Sequence, residues 1–599
     1  MKIKMFILFL VFIYQLHFSL LVRSNLRHLD ELSDDIVIIH LNDVHCGVDD
    51  TIGYDGFTLY RDELKTKYKN VITVDVGDHI QGGTLGEISF GNAIIKIMNK
   101  VGFDVAVIGN HDFDYGIEQL NNLKENFENK YICANFCYRK NKTTVLPPYK
   151  IINANNKKIG FIGIVTPLAL TKTYLSTIRD ENKELIYDFL IGNNNQELYD
   201  KIQDYINKLK NEENVDYIIL LAHIGMKKNE YKTEEIVSHL EGIDAVLDGH
   251  THEVYNTTIK DKNGNDIHIN QVGTKLESIG ALIIKPDGSI SSEIITEVPK
   301  PENITNYITI KRSNKERYVD KNVNNFINSV WKEYENELNI QYGYTDFDFI
   351  SRSEDGATYY CRYEECALGD LLADAIKTFG NGEITIINGG SVRNNIYKGN
   401  LTRGNLIDAV PWFNNIIVKR VTGQCILDAL EFGVSKLPNG GLLQLSGITF
   451  DADISFNSSV VTDEKGYFVN VTGKRRVSNV KINGKDLVKD QLYNASLIEY
   501  NAFGGSGYNM FTDFEVFNEA LVTDTDAICY FIKDNLNGSI PEIYKKPQGR
   551  INILNNTLSP SSSSSSESNP ISKIFNFITN LNLYLIISII DIILLLFRI

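Results

Sequence analysis

Residues 105–114, VAVIGNHDFD, begin as a short apolar run and end in polar and acidic side chains. The opening Val-Ala-Val-Ile has the composition of a buried strand. Asn110, His111 and Asp114 follow it at once, and in open α/β sheets ligands bind just beyond the carboxyl ends of the strands. The stretch therefore predicts a buried strand whose end carries chemically active residues.

Four more apolar runs in the first half of the chain end in the same way. Their sequences are IVIIHLNDVH at 36–45, VITVDVGD at 71–78, YIILLAHIG at 217–225 and AVLDGHTH at 245–252. The polar residues that end them are Asp43, His45, Asp78, His223, His250 and His252. A single His or Asp after a strand is usually a cap or a turn residue, but five such ends in order predict one site. Because amphipathic stretches separate the runs, we expect an α/β domain.

The donor types at these strand ends indicate a metal site. Carboxylate and amide oxygens together with imidazole nitrogens suit zinc, manganese, iron or cobalt. No cysteine belongs to the set, which argues against a structural zinc site. The pattern therefore favours a metal site that performs chemistry.

The order of the motifs is similar to that of a known family. Asp-x-His, Gly-Asp, Gly-Asn-His-Asp, Ala-His and Gly-His-Thr-His resemble the calcineurin-like metallophosphoesterases, and GNHDFDYG followed by a second domain resembles the 5'-nucleotidases. The resemblance covers roughly residues 35–552. It implies an α/β fold that consists of a four-layer metallophosphoesterase sandwich, a connecting helix and a second α/β domain that binds substrate.

The resemblance also implies two divalent metal ions, with zinc as the first expectation and manganese, cobalt or iron as alternatives. In the family pattern, one ion has the ligands Asp43, His45, Asp78 and His252, and the other has Asp78, Asn110, His223 and His250. Such a pair clamps the phosphoryl oxygens and deprotonates a water for in-line attack. His111 matches the family's catalytic histidine, and Asp114 would orient its imidazole and favour the protonated form.

Four segments of the second half match the family's substrate-binding pattern in order. They are CRYEECALGD at 361–370, NGGSVR at 388–393, PWFN at 411–414 and YNAFGGSGY at 500–508. The residues that the resemblance implies in substrate binding are Arg362, Asn388, Gly390, Arg393, Trp412, Tyr500 and Ser506. Guanidinium groups suit phosphate oxygens, and aromatic rings stack on a purine. Taken singly, each of these residues has an ordinary structural explanation.

Two positions depart from the family pattern. Trp412 stands where Phe is usual, a change that preserves stacking on a base. Ser506 stands where the family has Asp, the residue that accepts hydrogen bonds from the ribose hydroxyls. Because a neutral hydroxyl accepts more weakly than a carboxylate, the change puts the nucleotide preference in question, but not the phosphoesterase chemistry.

The seven cysteines indicate one local disulfide. Cys361 and Cys366 are five positions apart, a spacing that a small disulfide loop can close. The resemblance to animal ecto-5'-nucleotidases includes this pair. Because the number of cysteines is odd, we expect at least one to be free.

Both ends of the chain resemble processing signals. Residues 1–24 place two lysines before an apolar run and predict a signal peptide, with an N-terminal membrane anchor as the alternative. Residues 553–570 form a serine-rich linker, and residues 571–599 form a hydrophobic tail. This order is typical of a GPI-anchor signal, with a membrane helix as the alternative. We therefore expect the protein on the extracellular face of the cell membrane, where its nine Asn-x-Ser/Thr sequons are candidates for glycosylation.

The predicted domain boundaries follow from these patterns. They are 34–305 for the metallophosphoesterase domain, 306–342 for the connecting helix and 343–552 for the 5'-nucleotidase C-terminal domain. The helix is predicted because residues 313–340 are highly charged, with apolar residues at roughly helical spacing.

A formal net charge of −16 argues against a surface that binds nucleic-acid polymers. The leading hypothesis is hydrolysis of nucleoside 5'-monophosphates to nucleoside and phosphate outside the cell. One alternative is a related phosphohydrolase that acts on nucleotide-sugars, cyclic nucleotides, nucleoside diphosphates or other phosphomonoesters. Another is an inactive surface binding protein. The sequence leaves open a homodimer, which is typical of animal relatives.

Overall fold

The computed structural model describes residues 32–554 apart from 129, 168, 170–183, 191, 193, 227–230, 355 and 464–465. The predicted signal peptide and hydrophobic tail lie outside the described residues, as does the linker beyond residue 554. Within these limits the chain forms an α/β domain, a hairpin followed by a long helix, and a second α/β domain. None of the helices in this part of the chain combines the length and the apolar character that crossing a bilayer requires.

Two six-stranded sheets form the centre of the first domain. The strand order of the first sheet is Ile290–Ile295, Ile279–Ile284, Ser33–Leu41, Tyr68–Asp75, Val105–Val107 and Tyr131–Ile132. The strand order of the second is Val254–Lys260, Asp266–Val272, Ala245–Asp248, Tyr217–His223, Lys157–Val165 and Tyr149–Ala154. The strands that carry the five motifs run parallel to one another within each sheet. Their carboxyl ends therefore open at one edge of each sheet.

Side chains alternate between the two faces of each strand, and both faces of the sheets are buried. The domain therefore has four layers. In Ser33–Leu41, Ile36 and Ile38 lie in the core between the two sheets, whereas Val37 and Ile39 lie in the core under the outer helices. Side chains of a strand alternate between its faces, so an apolar run without interruption is buried on both. The outer helices are Gly53–Lys65, Asn92–Val101 and Gly116–Asn126 on the first sheet, and Gln196–Asn211 and Thr233–Ser238 on the second. The predicted four-layer α/β sandwich is confirmed.

The connection between the domains differs from the helix predicted over residues 306–342. Its elements are the antiparallel strands Tyr307–Arg312 and Lys315–Asp320 and the helix Lys321–Leu338. Ser313 and Asn314 have φ angles of 49° and 61°, as the two central residues of a tight hairpin turn require. The Asp320 carboxylate accepts a hydrogen bond of 2.8 Å from Val323 N and begins the helix there. The prediction of helix before residue 321 is wrong, because the charged side chains of this exposed hairpin obscure its two-residue alternation.

The second domain contains a five-stranded and a four-stranded sheet. The five-stranded order is Leu443–Ser446, Ile384–Asn388, Leu492–Ile498, Asn415–Thr422 and Val516–Thr523. The four-stranded order is Lys485–Asp486, Val477–Ile482, Ile448–Asp453 and Ile551–Leu554. The α-helices beside them include Ala367–Gly380, Arg403–Ala409, Gly423–Gly433, Glu499–Ala502 and Asp524–Tyr530. Asn388 ends one strand and Tyr500 follows another, so both lie at a sheet edge.

An apolar contact joins the two domains close to this edge. Ile88, in the short helix Thr84–Ser89 of the first domain, packs with Ile407 and Phe413 of the second. Phe90 also contacts Phe413, with ring centroids 5.8 Å apart. The contact holds loops of the first domain against the predicted substrate-binding segments.

Candidate active site

The predicted metal ligands lie at or just beyond the carboxyl ends of the central strands, and five of them have a left-handed backbone. The φ angles are 51° at Asp43, 45° at His45, 57° at Asp78, 80° at His250 and 56° at His252. Asp, Asn and His adopt this region more readily than other L residues, and backbone strain of this kind clusters at functional sites. The chain thus leaves regular strand geometry at the point where these side chains converge.

Asp43, His45 and His252 form one group of candidate ligands, with donor atoms that all lie within 4.8 Å of one another. His45 Nε2 lies 3.0 Å from His252 Nε2, and His252 Nε2 lies 3.5 Å from Asp43 Oδ1. His45 Nδ1 lies 3.0 Å from the carbonyl oxygen of Gln81, so Nδ1 donates and Nε2 keeps its lone pair. Two imidazole nitrogens that face each other are stabilised by a cation between them.

Asp78, His223 and His250 form a second group with the same spacing. Asp78 Oδ2 lies 3.1 Å from His223 Nε2 and 3.7 Å from His45 Nε2 of the first group. His223 Nδ1 donates to the carbonyl oxygen of Val76 at 2.6 Å, which turns Nε2 toward the carboxylate. Asp78 therefore stands between the two groups, where a bridging ligand would stand.

The buried polar atoms of the site fit two divalent cations. Both polar side-chain atoms of Asn110 are buried and have no hydrogen-bond partner among the described residues. Buried polar groups are nearly always satisfied in folded proteins, so an unsatisfied amide beside two carboxylates and several imidazoles indicates a further partner. Oxygen and imidazole donors in this combination suit zinc, manganese, cobalt or iron.

The pKa shifts of the buried candidate ligands also favour a bound cation. Burial raises the pKa of the Asp43 carboxyl. Burial also opposes the charge of Asp78, but His223 and the other nearby imidazoles outweigh it and hold the pKa of Asp78 well below its usual range. Burial opposes the charge of His223 too, yet Asp78 and Asp43 raise the pKa of His223 to about 10. A nearby positive charge therefore stabilises the buried carboxylates as anions. A metal ion supplies this charge and leaves the imidazoles neutral.

Two buried residues that the sequence analysis did not assign to the site hold the ligand loops. The Asp112 carboxylate accepts hydrogen bonds from Asp78 N at 3.0 Å and Gly109 N at 2.7 Å. Asn42 Nδ2 donates to Asp43 Oδ2 at 2.7 Å. The only sequence signal for either residue is its position beside a ligand within a motif.

Gly109 is required next to Asp78. A Cβ at this position would lie 2.1 Å from Asp78 Oδ1 and 2.4 Å from Asp78 N. Gly109→Ala should therefore displace the Asp78 carboxylate and lower the rate of phosphate release about 10²-fold, as a misplacement of about 1 Å does in other active sites. The control is Gly404→Ala, whose Cβ would meet nothing closer than 3.4 Å. An unchanged rate in Gly109→Ala would contradict this role of Asp78.

His111 and Asp114 form a hydrogen-bonded pair beside the ligand groups. His111 Nδ1 lies 2.7 Å from Asp114 Oδ2, so Nδ1 donates to the carboxylate. His111 N donates to Asp78 Oδ1 at 2.7 Å. The imidazoles of His111 and His45 lie 5.4 Å apart between centroids. The pair is thus fixed to the same loops as the candidate metal ligands.

A cavity of about 270 Å³ lies between the two domains next to this pair. Its lining from the first domain includes Gln81, Glu87, His111, Asp114 and Tyr115. Its lining from the second domain includes all seven predicted substrate-binding residues, Arg362, Asn388, Gly390, Arg393, Trp412, Tyr500 and Ser506. The structure thus brings the predicted catalytic pair and the predicted substrate-binding residues to one cavity, and the role of each residue stays a prediction.

Two arginines of the cavity, Arg362 and Arg393, lack an acidic partner within the described part of the chain. Among the described residues neither Arg362 nor Arg393 forms an ion pair, and Arg362 Nε is buried without a hydrogen-bond partner. Burial lowers the pKa of Arg362, and the charge of Arg393 lowers it further. Arg393 lies over the ring of Trp412, with Cζ 5.2 Å from the centroid. The two guanidinium groups therefore offer unsatisfied donors to an anion.

Tyr500 and Ser506 interact directly. Ser506 N donates to the Tyr500 hydroxyl at 3.1 Å, and the two hydroxyl oxygens lie 3.3 Å apart. Gly505 permits this approach, because a Cβ there would lie 2.6 Å from the Tyr500 ring. Ser506 has a left-handed φ of 55°. Tyr500 thus occupies part of the hydrogen-bonding capacity of Ser506.

The structure contains a disulfide between Cys361 and Cys366, with Cα atoms 5.2 Å apart. The five other cysteines are free and buried, at positions 46, 133, 137, 425 and 529. The disulfide closes the loop that carries Arg362, so it restrains the backbone beside the cavity.

Comparisons with known proteins identify two family domains. Residues 36–254 match the calcineurin-like phosphoesterase family, and residues 343–513 match the 5'-nucleotidase C-terminal domain. The chain is 26% identical over 80% of its length to snake venom 5'-nucleotidase of Gloydius brevicauda, of which it spans 82%. It is 25% identical over 81% of its length to the trifunctional nucleotide phosphoesterase protein YfkN of Bacillus subtilis (strain 168), of which it spans 34%.

A solved structure with the same fold is the 5'-nucleotidase precursor from Thermus thermophilus. It is 20% identical, with a TM-score of 0.63, and the match covers 87% of this chain and 99% of that one. The order of the two family domains agrees with the order of the two α/β domains described above. The chain therefore belongs to the 5'-nucleotidase family of metallophosphoesterases and is a phosphoric monoester hydrolase.

Proposed function

We propose that the protein hydrolyses nucleoside 5'-monophosphates to the nucleoside and inorganic phosphate. The observation that carries the proposal is the cavity between the domains, whose lining includes His111, the two arginines and the aromatic side chains of Trp412 and Tyr500. Guanidinium groups suit a phosphate, and aromatic rings suit a base. A nucleotide contains both a phosphate and a base.

The proposal includes two divalent ions, with zinc first and manganese, cobalt or iron as alternatives. Their proposed ligands are Asp43, His45, Asp78 and His252 for one ion, and Asp78, Asn110, His223 and His250 for the other. Bound ions supply Lewis-acid polarisation of the phosphoryl oxygens and a lowered pKa for the attacking water. A serine or cysteine nucleophile is then unnecessary.

His111 is the proposed general acid. Because Asp114 accepts a hydrogen bond from Nδ1–H, the Nε2 of a protonated His111 directs its own proton into the cavity. The 5' oxygen of the nucleoside takes this proton as its bond to phosphorus breaks. The Asp114 carboxylate stabilises the imidazolium before the transfer. Arg362 and Arg393 neutralise charge on the phosphoryl group while the bond breaks.

The base is proposed to lie against Trp412 and Tyr500. Both rings line the cavity, and the Trp412 indole Nε1 donates to Ser391 O at 3.1 Å, which fixes its plane. Stacking discriminates weakly between bases, because every base has a π face. We therefore propose that the protein accepts several nucleoside 5'-monophosphates.

A substrate panel tests this proposal. Phosphate release is measured from AMP, GMP and UMP, and from 3'-AMP, ADP, cyclic AMP and UDP-glucose with coupled hydrolysis where needed. The 5'-monophosphates should have the highest kcat/KM values. A nucleotide-sugar, a cyclic nucleotide or a diphosphate at the top would favour the second candidate, a related phosphohydrolase. Release from none of them would contradict both.

Ser506 is the observation that favours this second candidate, because no carboxylate stands where the family binds ribose. Ser506→Asp should lower the KM for AMP about fivefold, since a charged acceptor is worth about 1 kcal/mol more than a neutral one. Asp tolerates the left-handed backbone of this position. Ser506→Asn, equal in size but neutral, is the control. An unchanged KM in Ser506→Asp would count against ribose contact there.

We also propose that the protein acts on the extracellular face of the cell membrane through a GPI anchor. The apolar runs at residues 1–24 and 571–599 support this location. Phosphatidylinositol-specific phospholipase should then release the protein from intact cells, whereas retention would favour a membrane helix. A homodimer in solution is a further proposal, which light scattering on the purified protein tests.

A further inference from the structure

The ring of Tyr359 contacts three guanidinium groups. The Cζ atoms of Arg362, Arg352 and Arg393 lie 4.4, 4.9 and 5.5 Å from its centroid. All three distances are within the range of a cation–π interaction. Three positive charges thus converge on one aromatic side chain, and two of them, Arg362 and Arg393, line the cavity.

Like charges gathered around one ring repel each other, and in the part of the chain that the structure describes no carboxylate forms an ion pair with either cavity arginine. The charges of Arg393 and Arg352 both lower the pKa of Arg362 in addition to burial. Among the described residues, Arg362 and Arg393 have no ion pair that would set their orientation. The negative face of the Tyr359 ring is the group that attracts them both.

Tyr359 is held in place by the chain beside it. Arg362 N donates to the Tyr359 carbonyl oxygen at 3.1 Å, at the start of the short helix Tyr360–Arg362. The disulfide from Cys361 closes the same loop. Within the described part of the chain, the Tyr359 hydroxyl makes no hydrogen bond, and Tyr359 does not line the cavity. The ring is therefore the part of Tyr359 that contacts the two cavity arginines.

We propose that Tyr359 is a positioning residue whose ring holds Arg362 and Arg393 in the orientation that binds the phosphate of the substrate. The identity of the substrate rests on the proposed function, whereas the binding of a phosphate anion by this pair does not. Without the ring, the two arginines repel each other and spread over several rotamers, so part of the binding free energy is lost in ordering them.

The test compares Tyr359→Leu with Tyr359→Phe. Leucine removes the π face, so the KM for AMP should rise about tenfold with kcat little changed. Phenylalanine keeps the face and should restore the wild-type KM. Tyr360→Leu, at the neighbouring tyrosine that has no guanidinium over its ring among the described residues, is the matched control. If Tyr359→Leu is not folded by its melting curve, Tyr359→Met takes its place.

Each alternative outcome overturns the proposal. An unchanged KM in the leucine or methionine variant contradicts it, and so does a phenylalanine variant that behaves like leucine. A loss confined to kcat contradicts it as well.

A second readout separates this inference from the proposed function. The binding of inorganic phosphate to the metal-loaded protein is measured by calorimetry, and Tyr359→Leu should weaken it by a factor similar to the change in KM. If the wild-type protein releases no phosphate from AMP, the proposed function fails, but this binding still tests Tyr359. Equal affinities of wild type and Tyr359→Leu for inorganic phosphate would then overturn the inference.

Discussion

Replacing His111 by alanine should lower kcat for AMP hydrolysis about 10²- to 10⁴-fold, the usual contribution of a general acid. The KM should change little, because His111 acts on the leaving oxygen in the transition state rather than on the bound substrate. The metal content should stay at the wild-type value, since His111 belongs to neither ligand group. The measurements are steady-state phosphate release and metal analysis of the same sample.

The leaving group provides a sharper form of the same test. p-Nitrophenolate leaves readily without a proton, whereas the alkoxide of a nucleoside does not. His111→Ala should therefore impair hydrolysis of p-nitrophenyl phosphate much less than hydrolysis of AMP. Asp114→Asn should also impair hydrolysis of AMP more than hydrolysis of p-nitrophenyl phosphate, but by a smaller factor. The imidazole remains in this variant and lacks only its carboxylate partner.

The control for this pair is His239→Ala. His239 is exposed and stacks on Tyr199 with ring centroids 4.2 Å apart, in the outer layer of the first domain. Its replacement should leave kcat unchanged for both substrates. Equal losses on AMP and p-nitrophenyl phosphate in His111→Ala would contradict the role of His111 as proton donor.

Replacing Asp78 by asparagine should have the second large effect, because Asp78 stands between the two ligand groups. Its Oδ2 lies 3.1 Å from His223 Nε2 and 3.7 Å from His45 Nε2. A neutral amide binds two cations less strongly than a carboxylate, so the metal content should fall below two equivalents. We expect kcat to fall on the order of 10³-fold with it, since the clamp on the phosphoryl oxygens is lost.

Asp266→Asn is the control for Asp78→Asn. Asp266 is exposed and pairs with Lys260 at 2.8 Å on the surface of the same domain. Its replacement should change neither metal content nor rate. Two full equivalents of metal in Asp78→Asn together with normal turnover would show that Asp78 does not bridge the ions.

The strand ends of the first domain could be predicted from the sequence for a physical reason. A parallel strand buried on both faces is largely apolar, as in residues 36–39, so the polar residues just beyond its end, here Asn42 and Asp43, mark the sheet edge. The residue types at these edges, such as Asp43 and His223, limit the chemistry further because few ligand sets contain both.

The hairpin Tyr307–Asp320 and the cluster around Tyr359 could not be predicted in the same way. The hairpin is exposed on much of its surface, so its apolar pattern is weak beside its charges. Arg352 and Arg393 are distant from each other in sequence, and only the folded chain brings both to the Tyr359 ring.

The shared cavity could likewise not be predicted from the sequence. The motifs predict two sets of residues on two domains, but the distance between the sets depends on how the domains meet. That contact involves Ile88, Ile407 and Phe413, which have the composition of ordinary core residues. The sequence therefore predicts what each set binds, and the structure adds that the predicted catalytic pair His111 and Asp114 lines the same cavity as the predicted substrate-binding residues.

The most direct test of the account is phosphate release from AMP by the purified protein before and after removal of metal. We predict turnover with two equivalents of divalent metal per chain, its loss on dialysis against EDTA, and its return when zinc or manganese is added. Turnover that persists in protein shown to contain no metal would contradict the account, and so would a metal-loaded protein that binds AMP without releasing phosphate.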